Sequence, residues 1–379
     1  SQNYRWYYIA LLPTLLGTMF DISWFFTGLE EIKYIVMRNI VCKILGVLLL
    51  FLLVHEKNDL ITYLIINSMI SLLGSLSMWT YIPKMTQKVD VSSLKFKRHF
   101  KETLVYFVPT IATSIYTVLD KTLIGVITNS TYENGYYEQA TKIINIMKSV
   151  VFSAVNAVMG ARISYLFSKN KIDEVKNRIT KSLNFIYLLA FGCVFGLIAI
   201  ADNFVPWFFG EGYEPVILLL RIMAPIILVI GTSNCLGSQY YNPSGQRAKS
   251  AKFIILGSCV NLLLNLILIP HYGAVGATIA SVIAELSITF FYVKMSDGFM
   301  SIGIIWRCSY KRIIAGIVML VTVMQLKRGL ALPLLCVILL QVLIGVVVYF
   351  GILLIMKDDM LLELVNIGCA TIKKKEEKS

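Results

Sequence analysis

Glu138, Lys142, Asn145, Ser149, Ser153, Asn156 and Gly160 follow one another at intervals of three or four. That spacing sets them on one face of an α-helix, with an apolar face behind. A stripe of charges, amides and hydroxyls can meet water or a polar solute; helix–helix hydrogen bonding is its competing use. Shorter polar faces recur elsewhere. Thr14, Gly17, Asp21, Trp24 and Gly28 share one, Ser258, Asn261 and Asn265 a second, and Thr278, Ser281 and Glu285 a third. Arg221, Pro225, Thr232 and Gln239 keep approximate helical spacing. Asp120 and Lys121 are neighbours in sequence, so their side chains diverge by about 100° and each needs a partner on another helix.

The chemistry these groups offer is recognition. Lys121, Lys142 and Arg221 are cations inside apolar stretches. They suit an anionic solute such as a phosphate. Asp21, Asp120 and Glu285 can balance them or hold a coupling ion, H+ or Na+. Glu138, Asn145, Asn156, Gln239 and Asn265 complete the candidate polar lining. Seven cysteines stand singly with no C-x-x-C pair, and there are three histidines. Neither a zinc site nor a disulfide framework is expected. No cofactor and no catalytic residue is expected either. Asp202, Glu211 and Glu214 are the dense acids of one predicted external break, and they read as solvated loop residues.

Composition says what kind of element must hold such groups. The 379 residues are 57% hydrophobic and 15% charged, with a mean hydropathy of +0.73. Soluble domains carry about 25% charged residues. The formal net charge is +13. In a soluble chain that balance would suggest nucleic acid. Here the cations lie in short breaks between apolar runs, where they mark a cytoplasmic side and meet anionic lipid.

A membrane-spanning helix needs about 20 mostly apolar residues. Eleven stretches qualify: 7–27, 34–54, 60–82, 103–127, 138–166, 183–201, 216–240, 250–269, 274–294, 312–326 and 331–356. Cations alternate along the breaks. The stretches Lys84–Lys101, Lys169–Lys181, Arg247–Lys252 and Lys294–Arg312 are basic, as is the tail Lys373–Lys378. Asn129–Tyr137 and Asp202–Pro215 contain acids and no Lys or Arg. The alternation predicts a cytoplasmic C-terminus, with the tail from Lys373 disordered. An odd number of spans would then leave residue 1 outside. Three preceding helices would return both termini to the cytoplasm and make fourteen.

Three groups of residues carry a resemblance. The run Asp21-Ile22-Ser23-Trp24-Phe25-Phe26-Thr27-Gly28-Leu29-Glu30 resembles the D-x-x-W-x-x-x-G-x-E signature of Wzx-type polysaccharide flippases. These belong to the multidrug/oligosaccharidyl-lipid/polysaccharide exporter superfamily. Gly135 to Lys142 resembles that family's G-x-Y-x-x-A-x-K segment. A third, longer similarity takes in Phe209 to Tyr213, Gln239 to Gly245, Asn265 to Pro270, Tyr272 to Ala277 and Glu285. The order and helical placement of the pieces carry the likeness, from the family's fourth helix to its last.

The resemblance implies an all-α integral membrane fold, a two-lobed transporter bundle with a cationic central cavity and rocking lobes. About eleven helices are present and about fourteen are expected in the complete protein. The chain would divide into the rest of an N-terminal lobe (1–83), a basic cytoplasmic linker (84–102), a C-terminal lobe (103–295), and two further helices with a charged tail (296–379). The implied substrate is an undecaprenyl-diphosphate-linked oligosaccharide, moved to the outer leaflet of the bacterial inner membrane. Lys121, Lys142 and Arg221 would attract its diphosphate. Membrane lipid, and a polysaccharide polymerase or export machinery, would be the other partners; nucleic acid would not. A flippase for teichoic-acid or peptidoglycan precursors stays open. So do a cation-coupled multidrug exporter of the same superfamily and a membrane polysaccharide polymerase.

Overall fold

A computed structural model describes residues 4–29, 31–86, 96–326 and 333–376. It resolves into two compact units, Ser1–Arg98 and His99–Ser379. The division falls in the stretch 84–102, of which residues 87–95 lie outside the described ones. All described secondary structure is helical.

The first unit holds α1 (Arg5–Met19), α2 (Ser23–Gly28), α3 (Ile32–Leu53), α4 (Leu60–Trp79) and the short α5 (Ile82–Met85). α1 packs along α4, and small residues make the approach possible. A Cβ on Gly17 would lie 3.0 Å from the backbone of Leu72. The Ser68 hydroxyl donates to the Ala10 carbonyl at 2.6 Å. This is how helices associate where burial from water gives no drive. α3 has no buried residue, and its second half, from Ile44 to Leu53, is wholly apolar. The predicted span 7–27 is broken at Phe20–Ile22. Asp21 causes the break: its carboxylate accepts from the Ser23 amide at 2.8 Å and from the Ser23 hydroxyl. Such a local bond competes with the helix ladder.

The second unit begins with α6 (Phe96–Thr128), α7 (Thr131–Ser168) and α8 (Ile172–Phe209). α9 (Pro215–Met223) and α10 (Ile226–Leu236) follow, with Pro225 at the bend between them. Gly237–Tyr241 then forms a π-helical turn. α11 (Arg247–Lys294), α12 (Ile302–Gln325), α13 (Leu334–Ile355) and α14 (Asp359–Glu376) complete it. α8 is the central post, packed against α7, α10, α12 and α13. Arg312 of α12 is 1% exposed. It is held by Asp358 at 3.2 Å, Asn184 at 3.1 Å and the Cys308 carbonyl at 2.7 Å.

α11 is an antiparallel hairpin. Its direction reverses at Gly273, whose φ of 53° and ψ of −131° suit only glycine. Residues equidistant from that turn meet. Ser250 hydrogen-bonds Tyr292 at 2.5 Å, and a Cβ on Gly257 would lie 2.2 Å from Ile288. The predicted spans 250–269 and 274–294 are its two arms.

Each of the eleven predicted segments falls on helix. Among the described residues, seven stretches are long and apolar enough to cross a membrane, with α1–α2 and α11 each counted once. α14 is not expected from sequence. Where the charged tail reads as disordered, the helix continues to Glu376. Met360, Leu361 and Leu364 pack its first turns on the core.

Candidate functional site

α6 and α7 meet through two adjacent rungs. The front rung is Lys121 with Glu138, whose other carboxylate oxygen faces Lys142 at 3.7 Å. Glu138 and Lys142 are one turn apart on α7, in the favourable order with the acid first. The side chains are 36%, 31% and 57% exposed for Lys121, Glu138 and Lys142. Asn145 and Ser149 continue the exposed face, with the apolar Ile146 and Val150 between them, while Ile143, Ile144 and Val151 point into the core. The side chain of Asn156 lies outside the described residues.

α7 starts at Thr131, seven residues earlier than its predicted span. Lys142 is therefore about 16 Å along a helix of about 57 Å, and Ser149 is near its middle.

The rear rung is Asp120 with Tyr137. Asp120 is 3% exposed and accepts three hydrogen bonds from neutral donors. Tyr137 and Ser281 reach Oδ2 at 2.7 Å each, and Asn265 Nδ2 reaches Oδ1 at 2.6 Å. Asn265 Nδ2 also donates to Asn261 Oδ1 at 3.0 Å. Among the described residues, Asn265 Oδ1 and Asn261 Nδ2 are buried without a hydrogen-bond partner. Asn265 lies on the first arm of α11 and Ser281 on the second, so Asp120 ties both arms to α6.

Glu133 fixes the turn of that hairpin. Its carboxylate accepts from the Ala274 amide at 2.7 Å, and so caps the second arm where amides are unsatisfied and negative charge is favoured.

The remaining candidates are placed elsewhere. Arg221 of α9 pairs with Asp202 of α8 at 2.9 Å. Asp202 is helical, because α8 extends to Phe209, and it is not the solvated loop acid expected from sequence. Sequence spacing puts Asp120, Asn265, Gln239 and Glu285 on lumen faces; helix packing encloses them instead. Gln239 is 0% exposed in the π-helical turn, and both its amide atoms lack a partner among the described residues. Glu285 acts electrostatically on Lys148 of α7. In the first unit, Asp21 lies 3.6 Å from Arg38 of α3.

Four of these participants escape sequence reasoning: Tyr137, Glu133, Lys148 and Arg38. Glu133 and Tyr137 are separated by four residues, a helical interval hidden inside an apparent loop. Lys148 flanks the polar stripe, seven residues beyond Thr141. Arg38 carries no signal beyond its charge in an apolar helix.

Known proteins resemble this chain along most of its length. Residues 1–164 match the family model described as polysaccharide biosynthesis protein. The chain is 25% identical over 284 residues to a putative O-antigen transporter of Escherichia coli, covering 74% of this chain and 67% of that one. It is 26% identical over 292 residues to a putative O-antigen transporter of Shigella dysenteriae, covering 74% and 70%. A probable low-salt glycan biosynthesis flippase of Haloferax volcanii is 27% identical over 263 residues, covering 66% and 52%. Among solved structures, the lipid II flippase MurJ in an inward closed conformation superposes with a TM-score of 0.69. At 18% identity, over 86% of this chain and 66% of that one, it shows the fold. The match over residues 1–164, the O-antigen transporter relatives and the shared fold agree with the resemblance to Wzx-type polysaccharide flippases.

Proposed function

We propose that this chain flips an undecaprenyl-diphosphate-linked oligosaccharide repeat unit from the cytoplasmic to the outer leaflet of the bacterial inner membrane. The product would serve O-antigen, capsule or a related surface polysaccharide, with a polymerase acting next. The observation that carries this reading is the polar face of α7. Lys142, Asn145 and Ser149 are exposed on one face of α7, beside Lys121 and Glu138. Ammonium groups at depth suit a diphosphate, amides and hydroxyls suit sugars, and the isoprenoid tail can stay in lipid. Arg221 is assigned to the same anion, with Asp202 as its resting partner. The basic tail is assigned to the cytoplasm.

Transport against a gradient needs coupling, and Asp120 is our candidate for it. A buried carboxylate beside the unpartnered oxygen of Asn265 is a set of hard oxygen ligands. It suits a proton on Asp120 or a Na+ ion.

Depleting the protein in its host and measuring lipid-linked oligosaccharides by mass spectrometry tests the proposal. Leaflet is judged by an impermeant glycosidase. Complete single repeat units should accumulate, sheltered on the cytoplasmic side. Repeat units that still reach the outer leaflet would overturn the reading in favour of a polymerase or drug exporter. Accumulation of a peptidoglycan or teichoic-acid precursor instead would move it to that substrate.

A further inference from the structure

We infer that Glu138 is an exchangeable internal anion, holding in the empty protein the two ammonium groups that a substrate diphosphate takes over. The inference rests on the diphosphate reading above. One carboxylate serves two cations through different oxygens, Oε2 to Lys121 and Oε1 to Lys142. That fork resembles the way two oxygens of a diphosphate would be held. Lys121 comes from α6 and Lys142 from α7, so the two ammonium groups reach Glu138 from different helices. Glu138 is 31% exposed and can be reached by a competing anion.

The next residue in sequence is anchored. Tyr137 is 4% exposed and bonded to Asp120 and Ser281. The α7 backbone is thereby pinned, and the exchange is a side-chain rotation of Glu138 alone. Two lysines and one glutamate sum to +1; without Glu138 they sum to +2. A diphosphate, with more charge and more oxygens, displaces a single carboxylate. A sugar without the diphosphate does not. After release, Glu138 returns and keeps the ammonium groups from trapping a second anion. Glu138 thus sets both the selectivity for a charged head and the speed of its departure.

Farnesyl diphosphate, binding to the purified protein in lipid nanodiscs, is the probe. Glu138→Gln removes the competitor and keeps the shape. It should tighten binding about three- to tenfold, the range that loss of two part-exposed ion pairs spans. Glu138→Asp, a carboxylate drawn back by one methylene, should shift binding in the same direction by less. It stands in if the glutamine variant does not fold. Lys121→Gln should weaken binding in either background. If the parent binds and Lys121→Gln weakens it, yet neither Glu138 variant binds more tightly, the exchange inference falls and the diphosphate reading stands. If the parent and both Glu138 variants fail to bind, the diphosphate reading falls and the inference with it.

Discussion

Asp120 and Lys121 share a peptide bond and occupy opposite environments. The lysine reaches the open face of α7, and the aspartate is sealed behind it among neutral donors. Their divergence on the helix achieves this, because consecutive side chains cannot face one site. On the proposed reading, binding and coupling fall to separate groups one residue apart. Asp120→Asn keeps the shape and removes the charge. The variant should still bind farnesyl diphosphate, since Lys121, Glu138 and Lys142 remain in place. Its transport should no longer respond to a Na+ or pH gradient. Retained gradient dependence in proteoliposomes would remove Asp120 from that role. Asp297 lies outside the helices. Asp297, in the loop after α11, accepts from Tyr240, from Gln246 at 3.3 Å, and lies 3.7 Å from Lys249. The Tyr240 hydroxyl first, then Gln246, holds its carboxyl below the ordinary carboxylate range. A depressed folded pKa gives stability that is present above the unfolded value of about 3.9 and fades as pH falls through the folded one. Thermal melting should therefore show the parent losing more stability than Asp297→Asn as pH drops below about 4. Parallel melting curves would contradict it.

At the scale of elements, polar fastenings decide which helices stay together. The α11 hairpin turns at Gly273, and a Cβ there would meet Glu133 Oε2 at 2.6 Å. Gly273→Ala combines a backbone region open to glycine with that contact, and should cost about 1–3 kcal/mol. Glu133→Gln keeps an acceptor at the Ala274 amide and loses its charge, for about 0.3–1 kcal/mol. Melting of the purified variants should rank them in that order. The pair Arg312–Asp358 lies 2% and 6% exposed and joins α12 to the turn before α14. Asp358→Ala strands the buried guanidinium and should cost about 3–5 kcal/mol. Replacing both partners with Met and Leu should recover most of that loss, and a double variant no better than the single one would refute the pair as the cause. How much of this could be read beforehand follows from range. Apolar length marks seven stretches as long and apolar enough to cross a membrane among the described residues, and α6, α7 and α12 are not among them. Asp21 reads as a lining residue within a helix, yet it breaks the helix, because an Asx turn costs one residue and leaves no trace in hydropathy. Glu138 and Lys142 could be paired from spacing alone. Asn265 and Ser281 lie far from Asp120 in sequence, and no local pattern shows that they meet it. Sequence puts Arg221 on a helix but hides its partner, since Asp202 reads as a loop residue and the structure makes it helical.

On the scale of the whole molecule, one question governs the proposed function: whether the polar face of α7 is wet in the membrane. Hydropathy alone does not answer it, for α7 is a 38-residue helix in which polar and apolar residues alternate at helical spacing. Three outcomes are physically distinct. Against lipid, exposed Lys142 would be costly and would have to reach for the interface. Against another helix, Asn145 and Ser149 would find hydrogen bonds and shed water. Against a solvated pathway they would stay reachable from the aqueous phase. Single cysteines at 145 and 149, made in a variant whose native cysteines are replaced, separate the three. An impermeant maleimide applied to either side of sealed vesicles should label both, and farnesyl diphosphate should slow labelling at 145. Cysteines at Ile144 and Val151, which are 1% and 0% exposed, should stay unlabelled. If 145 and 149 are as inert as 144 and 151, the face is dry, and Lys121, Glu138 and Lys142 form a structural ion cluster. If labelling follows the exposure seen along α7, the same helix that packs its unit also lines the route of a charged head group, which is what a flippase requires.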